Sequence, residues 1–485
     1  MQDKTKKEYT SVNHVLKYIG VFGSVEALKI LANVSRGKIT AFFLGPLGVG
    51  LLAIYQNIQD VIQSCTNYGL EIASIQQLSE IDTDIKTDEA AVMAKVIRTW
   101  SMAVAFLSAL ICVVVSLLFG VLFFTDGESH HEVILLTPAA FLAPITAGEC
   151  AILKGLHKLK RVATVELLGA IGTVICAFLV YGSLGVSGIL LAMDLFVAVE
   201  VSVHLYFCTR ILPYRLGFFS VDIWKRGISL LKFGIPYAVS AVTGAITTAV
   251  IYNIISSTHD VGIYKTGYAL MIYYLGVVFS SNATDYFPRL TSACHDMSLK
   301  NEIVNRQIQV SLTITTPLVM AFLLAQPIII PVLYTCEFMP IATICVMAGL
   351  FQLHRSVTLP LEYVSLAHGS SVVFFFLESC YKVILIVSTY FLYDVFGLLG
   401  VGLAMSVVGV ANTIILSVTN RVLFHVTLTH GNWMSIGLAS ILISVIMVLC
   451  HIGLSPLTLG IGVSLTLLTV IYSYGILRRE IRKEK

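Results

Sequence analysis

Long apolar runs separated by short polar turns recur along almost the whole chain. Each run reaches the roughly 20 residues needed to cross a hydrocarbon core about 30 Å thick. The pattern predicts fourteen spans, at 15–42, 47–78, 92–124, 133–154, 162–181, 186–209, 230–255, 262–291, 304–333, 339–366, 371–392, 398–420, 433–451 and 457–477. The runs are continuous rather than alternating, which excludes a β-barrel. The turns sort into two sets. One carries Lys4, Lys6, Lys7, Lys86, Lys95, Lys154, Lys158, Lys160, Arg161, Arg210, Arg215, Lys225, Arg226, Lys300, Arg306, Arg421 and the basic tail from Arg478. The alternate turns (FLGPLG, TDGESHHE, YGSLGVS, SSTHDVGI, YTCEFM, LYDVFGL, HIGLSPL) hold neither Lys nor Arg. Cytoplasmic loops carry the excess of basic residues, so both termini are expected in the cytoplasm, as an even number of spans requires.

Composition agrees. The chain is 57% hydrophobic and 12% charged, against roughly 25% charged in soluble domains, and its mean hydropathy is +0.87. The net charge of +3 gives no reason to expect a nucleic-acid partner, because the cations sit in the turns of one side. The polar, basic start MQDKTKKEYTSVNH, followed by a long charged apolar run, does not fit a cleavable signal peptide. The ten Cys lie mostly inside apolar runs with no CxxC pair, and read as packing residues. No metal site is expected. The His130–His131 turn reads as solvated. The turns are too short to build a folded catalytic module, and none holds a phosphate-binding P-loop.

The halves echo each other at a nearly constant offset. Gly50 and Gly262 are 212 positions apart, Gly185 and Gly400 are 215, Glu149 and Glu362 are 213, and Glu166 and Glu378 are 212. Each pair falls on equivalent spans, which predicts a duplicated six-span unit. An even-numbered unit keeps its orientation, so the halves are expected to be related by a pseudo-two-fold along the membrane normal, with a site between them near the midplane. The fold class is therefore an all-α polytopic membrane protein of about 14 transmembrane helices: two six-helix lobes and two C-terminal helices. The expected divisions are an N-terminal lobe at 1–210, a linker at 211–229, a C-terminal lobe at 230–421, and the last two helices with a basic tail at 422–485.

Several spans carry charges that cost at least ~2.5 kcal/mol each at mid-bilayer. On the first, Glu26, Lys29, Asn33, Arg36 and Thr40 follow a three-four spacing and share one helical face. A surplus positive charge there suits an anionic ligand. Alternatively Glu26 and Lys29 neutralise each other as an i,i+3 pair, and Lys38 and Arg36 snorkel outward. On the second, Gln56, Gln59, Asp60, Gln63, Asn67 and Glu71 form another stripe. Amides offer donors and acceptors without charge, which suits sugar hydroxyls; helix–helix hydrogen bonding is the alternative. The repeat assigns the seventh and eighth spans as partners, with Tyr237, Thr243 and Tyr268 as candidate lining residues beside Asn282, Asp285 and Arg289. Lys265 and Arg355 are candidate further basic contacts; Lys265 could equally snorkel, and His354 and Arg355 could meet headgroups. Embedded carboxylates Asp60, Glu149, Glu166, Asp194, Glu200, Glu362 and Glu378 are candidates for H⁺ or Na⁺ coupling, or else balance Lys154, His354, Arg355 and Lys382. No cofactor is expected.

The stretch ILANVSRGKITAFFLGPLGVGLLAIYQNIQDVIQSCTNYGLEIA, with its turn Gly45-Pro46-Leu47-Gly48-Val49-Gly50, resembles the start of Wzx-type polysaccharide flippases, such as O-antigen and enterobacterial-common-antigen translocases. These belong to the multidrug/oligosaccharidyl-lipid/polysaccharide exporter superfamily. The architectural resemblance covers essentially the whole chain; the sequence resemblance is concentrated in roughly the first 80 residues. It implies two lobes around a cationic cavity in the bacterial cytoplasmic (inner) membrane, and movement of an undecaprenyl-pyrophosphate-linked oligosaccharide between leaflets by alternating access. It places Lys29 and Arg36 at the pyrophosphate and implies membrane lipids, a glycan polymerase and glycosyltransferases as partners. In the related lipid II flippases the last two helices help form a lipid-tail groove. The rival expectations are a lipid II flippase, a multidrug or cation antiporter of the same superfamily, and, in a different class, a membrane glycan polymerase or ligase.

Overall fold

A computed structural model describes residues 12–67, 69–79, 87–123, 130–156, 158–218, 220–275, 286–287, 289–293, 296–453 and 455–484. The described residues are predominantly helical, with no strand among them. Nine helical runs among them are long and apolar enough to cross a membrane, ten if one bent pair forms a single span. This is compatible with fourteen spans without counting them. Two runs, Leu31–Asn67 and Lys160–Thr209, each join two of the expected spans across a glycine. Ala238–Ile254 is a shorter apolar helix, and much of the expected eighth span lies outside the described residues.

Glycine sets these breaks. Helix α1 (Val12–Asn67) has two arms that meet at Gly45, whose φ of 61° and ψ of −177° disrupt the helix. That backbone is closed to residues with a Cβ, and Pro46 then fits the first position of the second arm. The expected second span breaks again: Gly69 has φ 67° and α2 (Leu70–Ser79) starts after it. Then come α3 (Thr87–Phe123), α4 (Thr137–Gly155), α5 (Leu159–Leu184), α6 (Ile189–Thr209) and α7 (Val221–Ile254).

The second half follows as α8 (Thr258–Ala269), α9 (Met297–Leu333), α10 (Ile341–Met347), α11 (Gly349–Ala367), α12 (Ser371–Phe396) and α13 (Leu398–Leu423). Helices α14 (His430–Ile452) and α15 (Pro456–Glu484) complete the chain. The expected tenth span is two helices, α10 and α11, bent by 52°.

Gly185 links α5 to α6 with φ 57° and ψ −134°; Gly397 links α12 to α13 with φ 57° and ψ −137°. These two are 212 residues apart and replace the Gly185–Gly400 match expected from sequence. The register of the repeat thereby tightens to the 212–213 of the other pairs.

Two compact units emerge, Met1–Ala249 and Val250–Lys485. In the first, α1 packs along α5, α3 along α4, and α4 and α5 against α6. In the second, α9 packs on α11, and α11 and α12 against α13, while α14 and α15 both lie on α9. Three pairings recur: α3–α4 as α9–α11, α4–α6 as α11–α13, and α5–α6 as α12–α13. The division falls within α7, beyond the linker expected at 211–229, because that segment is tied to α3. Arg98 donates to the carbonyls of Leu212 and Pro213, and Gly217 N donates to Thr99 Oγ1 at 2.9 Å.

Apolar burial forms each core. Leu78, Ile97, Ile152, Leu153 and Val165 close together in the first unit. Many large apolar side chains remain exposed, including Phe106, Leu117, Phe391, Ile441 and Leu468, as expected of surfaces that meet hydrocarbon rather than water.

Candidate functional site

The polar stripe on the first arm of α1 turns toward its own unit at two points. Lys29 Nζ pairs with Glu166 Oε2 on α5 at 2.6 Å, both side chains under one-third exposed. Arg36 donates to Thr173 Oγ1 on α5 at 3.4 Å and lies 5.8 Å from the centre of the Phe196 ring on α6. Glu200 on α6 lies within electrostatic range of Arg36 and packs beside Gly169 on α5. The main-chain oxygen of Glu200 also contacts His204 Nδ1 at 2.7 Å. Sequence spacing offered Glu26 as the counter-charge to Lys29. Glu166, on another helix, is a partner of Lys29; the side chain of Glu26 is outside the described residues. Asn33 and Lys38 are exposed, and Thr40 donates to the carbonyl of Arg36 at 2.8 Å.

The second arm behaves differently. Tyr55, Ile58, Ile62 and Thr66 are buried. Gln56, Gln59, Gln63 and Asn67 are half-buried, and Asp60 is exposed. One face of the arm therefore faces the core and the amide stripe faces away from it. Asn57, which sequence reasoning passed over, lies outside the stripe: it is buried and its Nδ2 donates to the carbonyl of Ala245 on α7 at 3.1 Å. Tyr55, also unremarked in the sequence, donates to Glu132 at 3.0 Å.

The other embedded carboxylates of the first unit have partners as well. Glu149 on α4 receives a fork from Arg98 on α3, Nε to Oε1 at 2.7 Å and Nη2 to Oε2 at 2.9 Å. Both side chains are almost fully buried (2% and 1% exposed). Asp194 on α6 accepts from the main-chain N–H of Ala139 at 3.0 Å and so caps the start of α4, where backbone donors have no helical acceptor. Glu71 meets Lys154 at 3.3 Å.

In the second unit Arg355 Nη1 donates to Glu362 Oε1 at 2.8 Å, on the same helix α11, and Asn412 of α13 donates to the same oxygen at 3.4 Å. Tyr268 of α8 and Tyr381 of α12 lie within electrostatic range of Arg355. Lys265 and Tyr268 are half-buried. Glu378 pairs with Lys382 at 2.9 Å along α12. His354 is buried between hydroxyls, 2.8 Å from Thr413 Oγ1 and 3.5 Å from Ser440 Oγ. Thr243 donates within its own helix to the carbonyl of Ser240 at 2.9 Å. The side chain of Tyr237, and Asn282 and Asp285 entirely, lie outside the described residues; Arg289 is exposed. No group of three or more metal-ligating side chains occurs among the described residues.

The chemistry on offer is thus a half-exposed cationic patch on the first arm of α1, tempered by Glu166, and an uncharged hydrogen-bonding stripe on the second arm. The second unit adds a half-buried Arg–Glu pair near tyrosines.

Comparison with known proteins narrows the field. The family described as "Polysaccharide biosynthesis protein" matches residues 29–294, more than half the chain. No curated protein matches the sequence. Among solved structures, the lipid II flippase MurJ in an inward closed conformation is similar, with TM-score 0.66 and 15% identity over 95% of this chain and 99% of that one. An inward-facing multidrug resistance MATE family transporter of the MOP superfamily also reaches 0.66, with 14% identity over 85% of this chain and 95% of that one. A MOP superfamily transporter from Pyrococcus furiosus gives 0.53, with 15% identity over 81% and 92%. At these identities the likeness shows the fold, which is that of MOP superfamily transporters.

Proposed function

The chain belongs to the polysaccharide biosynthesis protein family, and from that premise we propose that it is a flippase. It carries an undecaprenyl-pyrophosphate-linked oligosaccharide, a surface-polysaccharide repeat unit, across the bacterial cytoplasmic membrane, with both termini in the cytoplasm. The observation that carries this reading is the α1 polar face, with Lys29 and Arg36 on one arm and half-exposed amides on the other. A pyrophosphate needs cations; a sugar needs neutral donors and acceptors. Lys29 and Arg36 bind the pyrophosphate, Gln56, Gln59, Gln63 and Asn67 bind sugar, and the polyprenyl tail stays in lipid. Two repeat-related lobes rock about the site to open it to each side in turn. Glu166 holds Lys29 in place between cycles. No bond is made or broken. A cation gradient working through the embedded carboxylates resets the empty carrier, and a glycan polymerase and glycosyltransferases act before and after it.

The reading is tested by reconstituting the full chain into vesicles with a defined lipid-linked oligosaccharide and scoring which leaflet holds the sugar. Lys29→Ala should abolish transfer with membrane abundance unchanged. Transfer at the normal rate in that variant would remove Lys29 from the site, and no transfer by the native chain of any pyrophosphate-linked saccharide would overturn the flippase reading.

One observation favours a second reading. The likeness to the lipid II flippase spans 95% of this chain, against 85% for the MATE transporter. A peptidoglycan precursor is the competing cargo, and lipid II in the same assay decides between them.

A further inference from the structure

The two units have corresponding connections on the side where the basic turns lie. Within each repeat these are the turn between the fourth and fifth expected spans and the segment leaving the sixth. In the first unit they are strongly basic. Lys158, Lys160 and Arg161 begin α5, and Arg210, Arg215, Lys225 and Arg226 line the strap from 210 to 228. Their counterparts at an offset of 212, residues 370–373 and 422–438, contain neither Lys nor Arg. Membrane sidedness would place cations in both. It does not explain why only one unit has them.

The strap is fixed in place. The buried Arg98 guanidinium donates to the carbonyl oxygens of Leu212 and Pro213 and lies 4.8 Å from the centre of the Tyr214 ring. Thr99 accepts from Gly217 N, and Trp100 Nε1 donates to the carbonyl of Ile223 at 3.3 Å. Trp100 and Trp224 meet edge to face at 4.8 Å. Gly227 leaves room for the Trp100 indole, which a Cβ there would overlap. The inward side is thus Gly217, Ile223 and Gly227, all buried, while Arg210, Arg215, Lys225 and Arg226 stay exposed. Asp222 pairs with Arg226 at 2.9 Å, leaving the strap net positive. Phe218, Val221 and Ile228 are exposed among the cations. Arg161 Nη1 reaches the carbonyl of Phe207 at 3.5 Å, so the α5 turn and the start of the strap are neighbours.

We infer that this strap is a docking surface for anionic phospholipid headgroups. Cations attract the phosphates, and exposed aromatic and aliphatic side chains between them enter the headgroup–acyl boundary. Because α3 holds the strap, little ordering is lost on binding. The strap belongs to the first unit, and its repeat counterpart at 422–438 lacks these cations.

The test uses the full chain purified in neutral detergent and titrated with phosphatidylglycerol, with phosphatidylcholine of the same acyl chains, with inorganic pyrophosphate and with oligoglutamate, reading the shift in unfolding temperature. Phosphatidylglycerol should raise it saturably and phosphatidylcholine should not. Replacing Arg210→Gln, Arg215→Gln, Lys225→Gln and Arg226→Gln together should weaken the phosphatidylglycerol response by roughly tenfold or more, since each cation near an anionic surface contributes. The charge-keeping set Arg210→Lys, Arg215→Lys and Arg226→Lys should retain the response, which separates charge from folding. Arg421→Gln, on the other unit, should leave it intact. An undiminished response in the Gln variant overturns the inference. So does an equal response to phosphatidylcholine, or a saturable response to pyrophosphate or oligoglutamate that the strap Gln variant loses; the latter would assign the strap to a soluble anion or an acidic protein. A pyrophosphate response that the Gln variant keeps belongs to the Lys29–Arg36 patch.

Discussion

Equivalent carboxylates form salt bridges across helices in the first unit and along one helix in the second. Glu149 and Glu166 each reach across to another helix, Glu149 to Arg98 on α3 and Glu166 to Lys29 on α1. The salt bridges of their repeat partners Glu362 and Glu378 run along their own helices, with Arg355 seven residues away and Lys382 four residues away, and Glu362 also accepts from Asn412 of α13. The repeat therefore preserved the acids and moved the bases. An acid paired across helices fixes how those helices sit. An acid paired along its own helix leaves that packing to other groups. In the second unit those groups include His354 with Thr413 and Ser440, and Lys300 and the asparagines of α9.

The largest expected effect comes from breaking the better buried of the cross-helix pairs. Removing one partner of a buried pair leaves an uncompensated charge and costs about 3–5 kcal/mol. Glu149→Gln should therefore lower thermal stability in detergent far more than Glu362→Gln, whose pair is partly exposed and lies within one helix. Equal losses from the two variants would break the contrast between the units.

A buried cation holds the chain leaving the sixth repeat helix in both units. Arg98 holds the carbonyl of Leu212, and Lys300 Nζ donates to the carbonyl of Phe424 at 2.8 Å; Leu212 and Phe424 are 212 residues apart. The surroundings differ. In the first unit an indole fills the space over Gly227, so Gly227→Ala should displace Trp100 and cost about 1–3 kcal/mol, the usual range for overpacking. A crystal structure or Trp fluorescence with the indole unmoved would contradict this. In the second unit Asn301 and Asn305 act as a ladder. Asn301 binds the carbonyl of His425 and the N–H of Thr427, and Asn305 the carbonyl of Thr427 and the N–H of Thr429, all at 2.8–3.0 Å. Asn305→Ala removes both of its bonds to that segment and should cost about 1–2 kcal/mol, with faster amide exchange at Thr429 and not at the strap of the first unit.

Local pattern made much of this readable and long-range pairing did not. Apolar length marked the membrane-crossing helices, and the Gly-Pro pair at 45–46 marked the break in α1, because both are properties of a few neighbouring residues. The amide stripe of the second arm also followed from period alone. Lys29 was different. Its spacing places it three residues from Glu26, whose side chain is outside the described residues; it also pairs with Glu166, 137 residues away on α5, a contact set by how α1 packs and not by any local rule. Arg98 sits near the basic start of its span, where snorkelling is the ordinary expectation. An embedded Glu149 on the next expected span was the signal that could have found it, since a buried carboxylate requires a cation or a donor set.

The smallest effect sharpens the same contrast. Lys29 and Glu166 keep partial exposure, unlike Arg98 and Glu149, so removing the acid should cost less than breaking the buried pair, on the order of 1 kcal/mol. Glu166→Gln nevertheless alters function if Lys29 is an anion contact, because the acid competes with the ligand for the same ammonium. The variant should bind inorganic pyrophosphate more tightly than the native chain, by roughly threefold to tenfold on the same scale, measured by calorimetry on the purified protein. Glu378→Gln, the repeat counterpart, pairs with a lysine on its own helix and should leave that affinity unchanged. If both variants tightened binding equally, the gain would come from net charge alone. If neither did, Lys29 would be a structural cation that ties α1 to α5, as Arg98 ties α3 to α4, and the anion contact would have to be sought at Arg36.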